Sequence, residues 1–152
     1  MAETETTNDG IYLVKELRDF INRNWESKPA SLMLERFAKT PPSITIQQLS
    51  GAMISRKYVD GSYVGNFPFG IFVRVRTDST ANTMSAISAL TDLYEWLVET
   101  DEDDNFKHLP TLNEKTVPIG FEITSLPSLV ARYEEGYEDY SALFSFNYKK
   151  RR

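Results

Sequence analysis

The chain has 152 residues, 41% hydrophobic and 26% charged, the size and makeup of one globular domain that buries roughly 70% of its unfolded surface without help from a disulfide or metal. It contains no cysteine, which removes disulfide frameworks, zinc–thiolate centres and cysteine nucleophiles. Its 17 basic and 22 acidic residues give a net charge of −5, a poor balance for neutralising nucleic-acid phosphates.

The start, Met1-Ala2-Glu3-Thr4-Glu5-Thr6, is acidic and polar, with no basic region leading into an apolar run, so no secretion signal is expected there. Residues 1–8 read as a flexible tail ahead of a single domain over 9–152. Asn8 or Asp9 is suited to cap a first helix, in which Leu13, Val14, Leu17, Phe20, Ile21 and Trp25 recur at steps of three and four. Pro29 lies just past its end. Ser31–Phe37 reads as a short strand or a helical turn, and Pro41-Pro42 punctuates the chain. Ser43–Leu49 alternates and is β-branched, which predicts a strand that continues through Met53 and Ile54 towards Tyr58.

Asp60-Gly61 predicts a type I′ hairpin tip, with the return strand passing Phe67-Pro68-Phe69 and running to Arg76. Pro68 cannot donate to a ladder, so an edge or a bulge is expected there. Arg74 and Arg76 share a strand face and read as solvated, with anion binding as the alternative. Asp78, Ser79 or Thr80 is suited to cap a second helix, with Met84, Ile87, Leu90, Tyr94, Leu97 and Val98 as its apolar stripe. The acidic run Glu99–Asp104 follows its end. Thr116–Ile123 reads as a strand, Leu126–Tyr133 as a bend and further strand, and Tyr140–Tyr148 alternates most cleanly of all, before Lys149-Lys150-Arg151-Arg152. The fold class expected is therefore α+β: two helices on a mostly antiparallel sheet in α-β-β-α-β-β order, with a protruding hairpin.

Nothing reactive stands out. His108 is the sole histidine, in a polar loop without a nucleophile motif, and reads as an ordinary exposed side chain. The carboxylates of Glu99–Asp104 and Glu134–Asp139 read as solvated, and Asp101–Asp104 lacks the spacing and glycine of a calcium loop. There is no phosphate-binding glycine loop and no dinucleotide fingerprint. No enzyme activity, cofactor or metal is expected. The aromatics Tyr58, Tyr63, Phe67 and Phe69 cluster at the hairpin and read either as core or as a partner-binding arm.

The segment Lys57-Tyr58-Val59-Asp60-Gly61-Ser62-Tyr63-Val64-Gly65-Asn66-Phe67-Pro68-Phe69 resembles a family of minor capsid proteins of siphophages and prophages of low-GC Gram-positive bacteria. So do Leu17–Ile21, Ile44–Gly51, Leu90–Leu97, and Leu126–Leu129 followed by Glu134-Glu135-Gly136 and the last strand. The likeness runs over nearly the whole chain after the first ten residues and rests on order and spacing. It implies a place near the neck of a tailed phage. The element order also looks like that of tail terminators, small α+β subunits that form a hexameric ring at the head-proximal end of the tail.

The partners so implied are further copies of the chain, the tail tube protein and a head-completion or connector protein. DNA would pass without specific binding, and no membrane is involved. The protein would be found in the virion, and in the host cytoplasm during assembly. The alternatives are a head–tail joining or neck protein and, more remotely, a small-molecule-binding α+β module. In a ring, Asp101, Asp103 and Asp104 are candidates to face the channel, where carboxylates would repel passing phosphate.

Overall fold

The computed structural model describes residues 2–49, 53–78 and 80–152, with side chains described from residue 10 and not for residue 53. Helix α1 spans Ala2–Asn24 and so starts ahead of Asn8 and Asp9. Its face of Leu13, Val14, Leu17, Phe20 and Ile21 is buried, as is Trp25 just past the helix end. The Trp25 indole donates to the Ala89 carbonyl at 3.0 Å, fastening the end of α1 to the middle of α2, which spans Thr80–Leu97.

Between the helices run β1 (Leu32–Leu34), β2 (Ser43–Gln48), β3 (Met53–Lys57) and β4 (Tyr63–Arg76). After α2 come β5 (Thr116–Tyr133) and β6 (Tyr137–Lys150). They form one six-stranded sheet in the order β1-β2-β4-β6-β5, with β3 also paired to β4. This corrects the expected α-β-β-α-β-β arrangement on a mostly antiparallel sheet. The order is α-β-β-β-β-α-β-β and the sheet is mixed, because β1 runs parallel to β2. Three residues are too few for β1 to show an alternation in sequence. The expected continuous strand from Ser43 to Tyr58 is two strands, β2 and β3, which meet β4 at different stretches.

Strand alternation sorts the side chains. Phe67, Phe69, Ile71 and Val73 of β4 point to the same side as Tyr140, Ala142, Phe144, Phe146 and Tyr148 of β6, and all are buried with the helix faces in one core. On α2 the buried residues are Ala86, Ala89, Leu90, Leu93 and Leu97. The expected stripe holds at Leu90 and Leu97, which are buried, and at Tyr94, which packs against the core, but fails at its start: Met84 is 66% exposed and Ile87 is also on the surface, and the small Ala86 and Ala89 face the core in that stretch instead. Of the expected caps, Ser79 lies outside the described residues, Thr80 is the first helical residue, and Asp78 accepts from the Asn82 amide at 3.1 Å.

Pro68 is neither at an outer edge nor in a bulge. It sits in the central strand β4, between the stretch paired with β2 (Phe69–Arg74) and the stretch paired with β3 (Tyr63–Asn66). Its carbonyl accepts from the Leu49 N–H at 3.2 Å. In a strand the N–H and C=O of one residue point the same way, so the missing donor faces the junction where one partner strand ends and the next begins.

Both hairpins close by the same device. Gly61 donates its N–H to the Tyr58 carbonyl and Gly136 donates to the Tyr133 carbonyl, each at 3.1 Å, with φ of 94° and 95°. These are three-residue loops ending in a left-handed glycine. The expected two-residue type I′ tip at Asp60-Gly61 is thereby corrected: Asp60 is not among the described positive-φ residues, and its carboxylate instead accepts from the Ser62 N–H and hydroxyl. The bend expected at Leu126-Pro127 is part of β5, whose register against β6 shifts repeatedly along its length. Among the described residues, no helix is long and apolar enough to cross a membrane.

Candidate assembly surfaces

Four aromatics were candidates for a contact arm, and the structure separates them. Phe67 and Phe69 are 0% exposed. Phe69 stacks on Phe144 at 5.3 Å and meets Phe121 edge-on at 6.3 Å. Both are core residues of the folded subunit, which corrects their assignment to the arm: their positions in a central strand put them on the helix-covered face. Tyr63 is half-buried, edge-to-face with Tyr148 at 6.4 Å. Tyr58 remains at the surface, with the Lys149 ammonium 5.3 Å from its ring centre.

What the hairpin does expose is different. Ile54, Arg56, Lys57 and Val59 are all on the surface, and the C-terminal cations lie alongside. Lys149 and Lys150 pair in register with Val64 and Tyr63, and the Arg152 guanidinium donates to the Asp60 carbonyl at 3.3 Å. This edge was not among the candidates drawn from the sequence; the signal that could have found it is the adjacency of Arg56-Lys57 to the turn, together with the basic last residues.

The acidic run is a folded turn. Thr100 bridges to Phe106, and the Asp101 carboxylate accepts from the backbone N–H groups of Asp103 (2.8 Å) and Asn105 (3.0 Å). Asp104 adopts a φ of 63°, a conformation that aspartate tolerates better than most residues. Asp101, Asp103 and Asp104 are thus brought together and exposed, but Asp101 also holds the loop's shape. The Phe106 ring lies over Gly120 of β5, where a Cβ would collide with it.

Glu99 forms an ion pair with Lys107 at 3.3 Å and a hydrogen bond with His108 at 2.9 Å, and the His108 imidazole stacks on Trp96 with ring centres 4.1 Å apart. His108 is therefore a structural fastener rather than a free loop residue. Its hydrogen bond, then that of Lys107, holds the Glu99 carboxyl below its ordinary 4.5. A depressed carboxyl favours the folded loop above the ordinary value, and that contribution disappears as pH falls through the depressed one. An NMR titration should find Glu99 titrating below 4.5, and His108→Gln should move it back upward. No movement on substitution would remove the imidazole as the main cause.

At the other end of the sheet, Arg74 is half-buried and already engaged by a carboxylate of its own chain. It makes a two-pronged bond to Asp139 (2.7 and 2.9 Å), and its guanidinium lies 4.1 to 4.9 Å from the ring centres of Phe37, Tyr137 and Tyr133. The Tyr133 hydroxyl donates to the same carboxylate at 2.9 Å. Beyond this node the far half of β5 exposes Leu126, Leu129 and Val130 on the outermost strand of the sheet. A cleft of about 300 Å³ opens between the end of α1 and α2, beside Trp25, Asp92 and Trp96. Among the described residues no buried side-chain nitrogen or oxygen lacks a partner, so no orphaned polar group points into it.

No family model and no curated protein matches the chain. Among solved structures, one aligns over 95% of this chain and 96% of its own at 13% identity with a TM-score of 0.46.

Proposed function

We propose that the chain is a structural, non-catalytic subunit of a tailed-phage virion, a tail terminator whose copies form a ring at the head-proximal end of the tail. The observation that carries this reading is a sheet left open on both sides with different chemistry on each. The β3 side is cationic, and the β5 side has an acidic loop and an apolar strand. A subunit that must touch two neighbours through two different patches needs that arrangement, and a repeated head-to-tail contact closes into a ring when the rotation fits. The resemblance to the minor capsid family across α1, the β3–β4 hairpin, α2 and the last hairpin supports a place near the neck; in a terminator ring the tail tube would lie on one side and a connector protein on the other.

The test is electron microscopy of particles made without the protein. A terminator's loss gives tails of uncontrolled length. Tails of normal length that fail to attach to heads would replace this reading with a head–tail joining role.

A further inference from the structure

The two chemically distinct sides of the sheet stand at the same level. Across one row, Lys57 pairs with Tyr63, Tyr63 with Lys150 and Lys150 with Thr116. A second row runs Met53, Asn66, Asn147 and Gly120, and Gly120 is where Phe106 seats the acidic loop. The β3 margin and the β5 margin are therefore three inter-strand steps apart, about 14 Å at the usual ~4.8 Å per step. The first margin exposes Arg56 and Lys57 around the apolar Ile54 and Val59. The second exposes Glu102 and Asp103 in the loop that Phe106 seats at Gly120, and the residue before that glycine, the apolar Ile119, is exposed on β5.

We propose that these margins are the two halves of one contact between copies of this chain, the β3 margin of each copy seating against the acidic loop of the next. This rests on the ring reading above and deepens it by naming the contact. Each half offers exposed apolar side chains flanked by charge, and the charges are of opposite sign. Two β3 margins repel one another, and so do two acidic loops, so a two-fold pairing of like surfaces is disfavoured and only the unlike pair attracts. An unlike pair is heterologous, the kind of contact that propagates around a ring. On this assignment Asp101, Asp103 and Asp104 border the neighbouring copy instead of the channel.

The test uses the full chain at low ionic strength and two charge-reversed variants, Arg56→Glu/Lys57→Glu and Glu102→Lys/Asp103→Lys. Glu102 and Asp103 are chosen because the Asp101 carboxylate holds the turn and Asp104 has the strained φ. The wild type should give a closed oligomer in native mass spectrometry that dissociates as salt is raised. Each variant alone should remain monomeric with an unchanged circular dichroism spectrum and thermal midpoint. An equimolar mixture should restore the oligomer with the two variants alternating, because each supplies the charge that the other lacks.

If lysine substitution disturbs the loop, the neutral Glu102→Gln/Asp103→Asn should still weaken assembly and flatten its salt dependence. Variants that assemble like the wild type, a mixture that stays monomeric, or a wild type that never assembles would each overturn the proposal. The two readings also fail separately. Rings that obey the charge rule while tails lacking the protein keep normal length would sink the terminator role and leave the contact standing. Normal tail termination by the charge-reversed variants would sink the contact alone.

Discussion

Truncating Phe69 to alanine is expected to lower unfolding free energy by about 3–5 kcal/mol, the usual cost of removing a buried aromatic ring. The ring is fully enclosed and touches Phe67, Phe121 and Phe144, from β4, β5 and β6, so its loss opens a void where three strands meet. Because a domain is stable by only about 5–15 kcal/mol, this is a large share of the total. Chemical denaturation should show a lower midpoint with an unchanged slope. Tyr58→Ala, at the surface of the same hairpin, should stay within about 0.5 kcal/mol of the wild type. Near-neutral stability for Phe69→Ala, with assembly lost, would return Phe69 to a contact role and refute the burial argument.

The second large effect lies at the opposite end of the sheet. Arg74→Met should destabilise the chain by about 3–5 kcal/mol, because it leaves the buried Asp139 carboxylate with the Tyr133 hydroxyl as its remaining side-chain partner. The hydrogen bonds to Asp139 push the Arg74 guanidinium above its ordinary value, so the pair keeps its positive member through the usual pH range. Adding Asp139→Leu to Arg74→Met should recover most of the loss, since two apolar side chains no longer strand a charge. A double variant no more stable than Arg74→Met alone would mean that the stacked rings of Phe37, Tyr133 and Tyr137, and not the carboxylate, need the guanidinium.

These two sites also show what the sequence could and could not convey. The alternation of Tyr140–Tyr148 and the three-and-four spacing of Leu13–Trp25 gave β6 and the buried face of α1, because periodicity reports burial directly. The same alternation was present in Phe67-Pro68-Phe69, but Pro68 suggested an edge and so drew the two rings outward. Nothing local reveals that a proline in a central strand faces a junction between two partner strands. The Arg74–Asp139 pair joins residues 65 positions apart, and such pairing is set by strand order, not by neighbours in the chain. The first turns of the α2 stripe are misread because Ala86 and Ala89, which face the core there, carry little weight in a hydrophobic pattern next to Met84 and Ile87, whereas Leu90 and Leu97 are legible. The acidic run was visible, but the shape given to it by Asp101, Phe106 and His108 depends on contacts with backbone amides, Gly120 and Trp96 that spacing does not encode.

The junction at Pro68 carries a consequence for motion. The β2 and β3 ladders on β4 do not overlap, so neither braces the other, and β3 has no other partner among the described strands. Its five residues can detach as a small opening unit at far lower free energy than the β4–β6 centre, where paired backbone groups lie above the aromatic core. On the contact proposed above, an arm with that independence would meet its neighbour while the rest of the subunit stays closed, and its capture would order a handful of residues instead of a domain, which keeps the entropic cost of each new contact small.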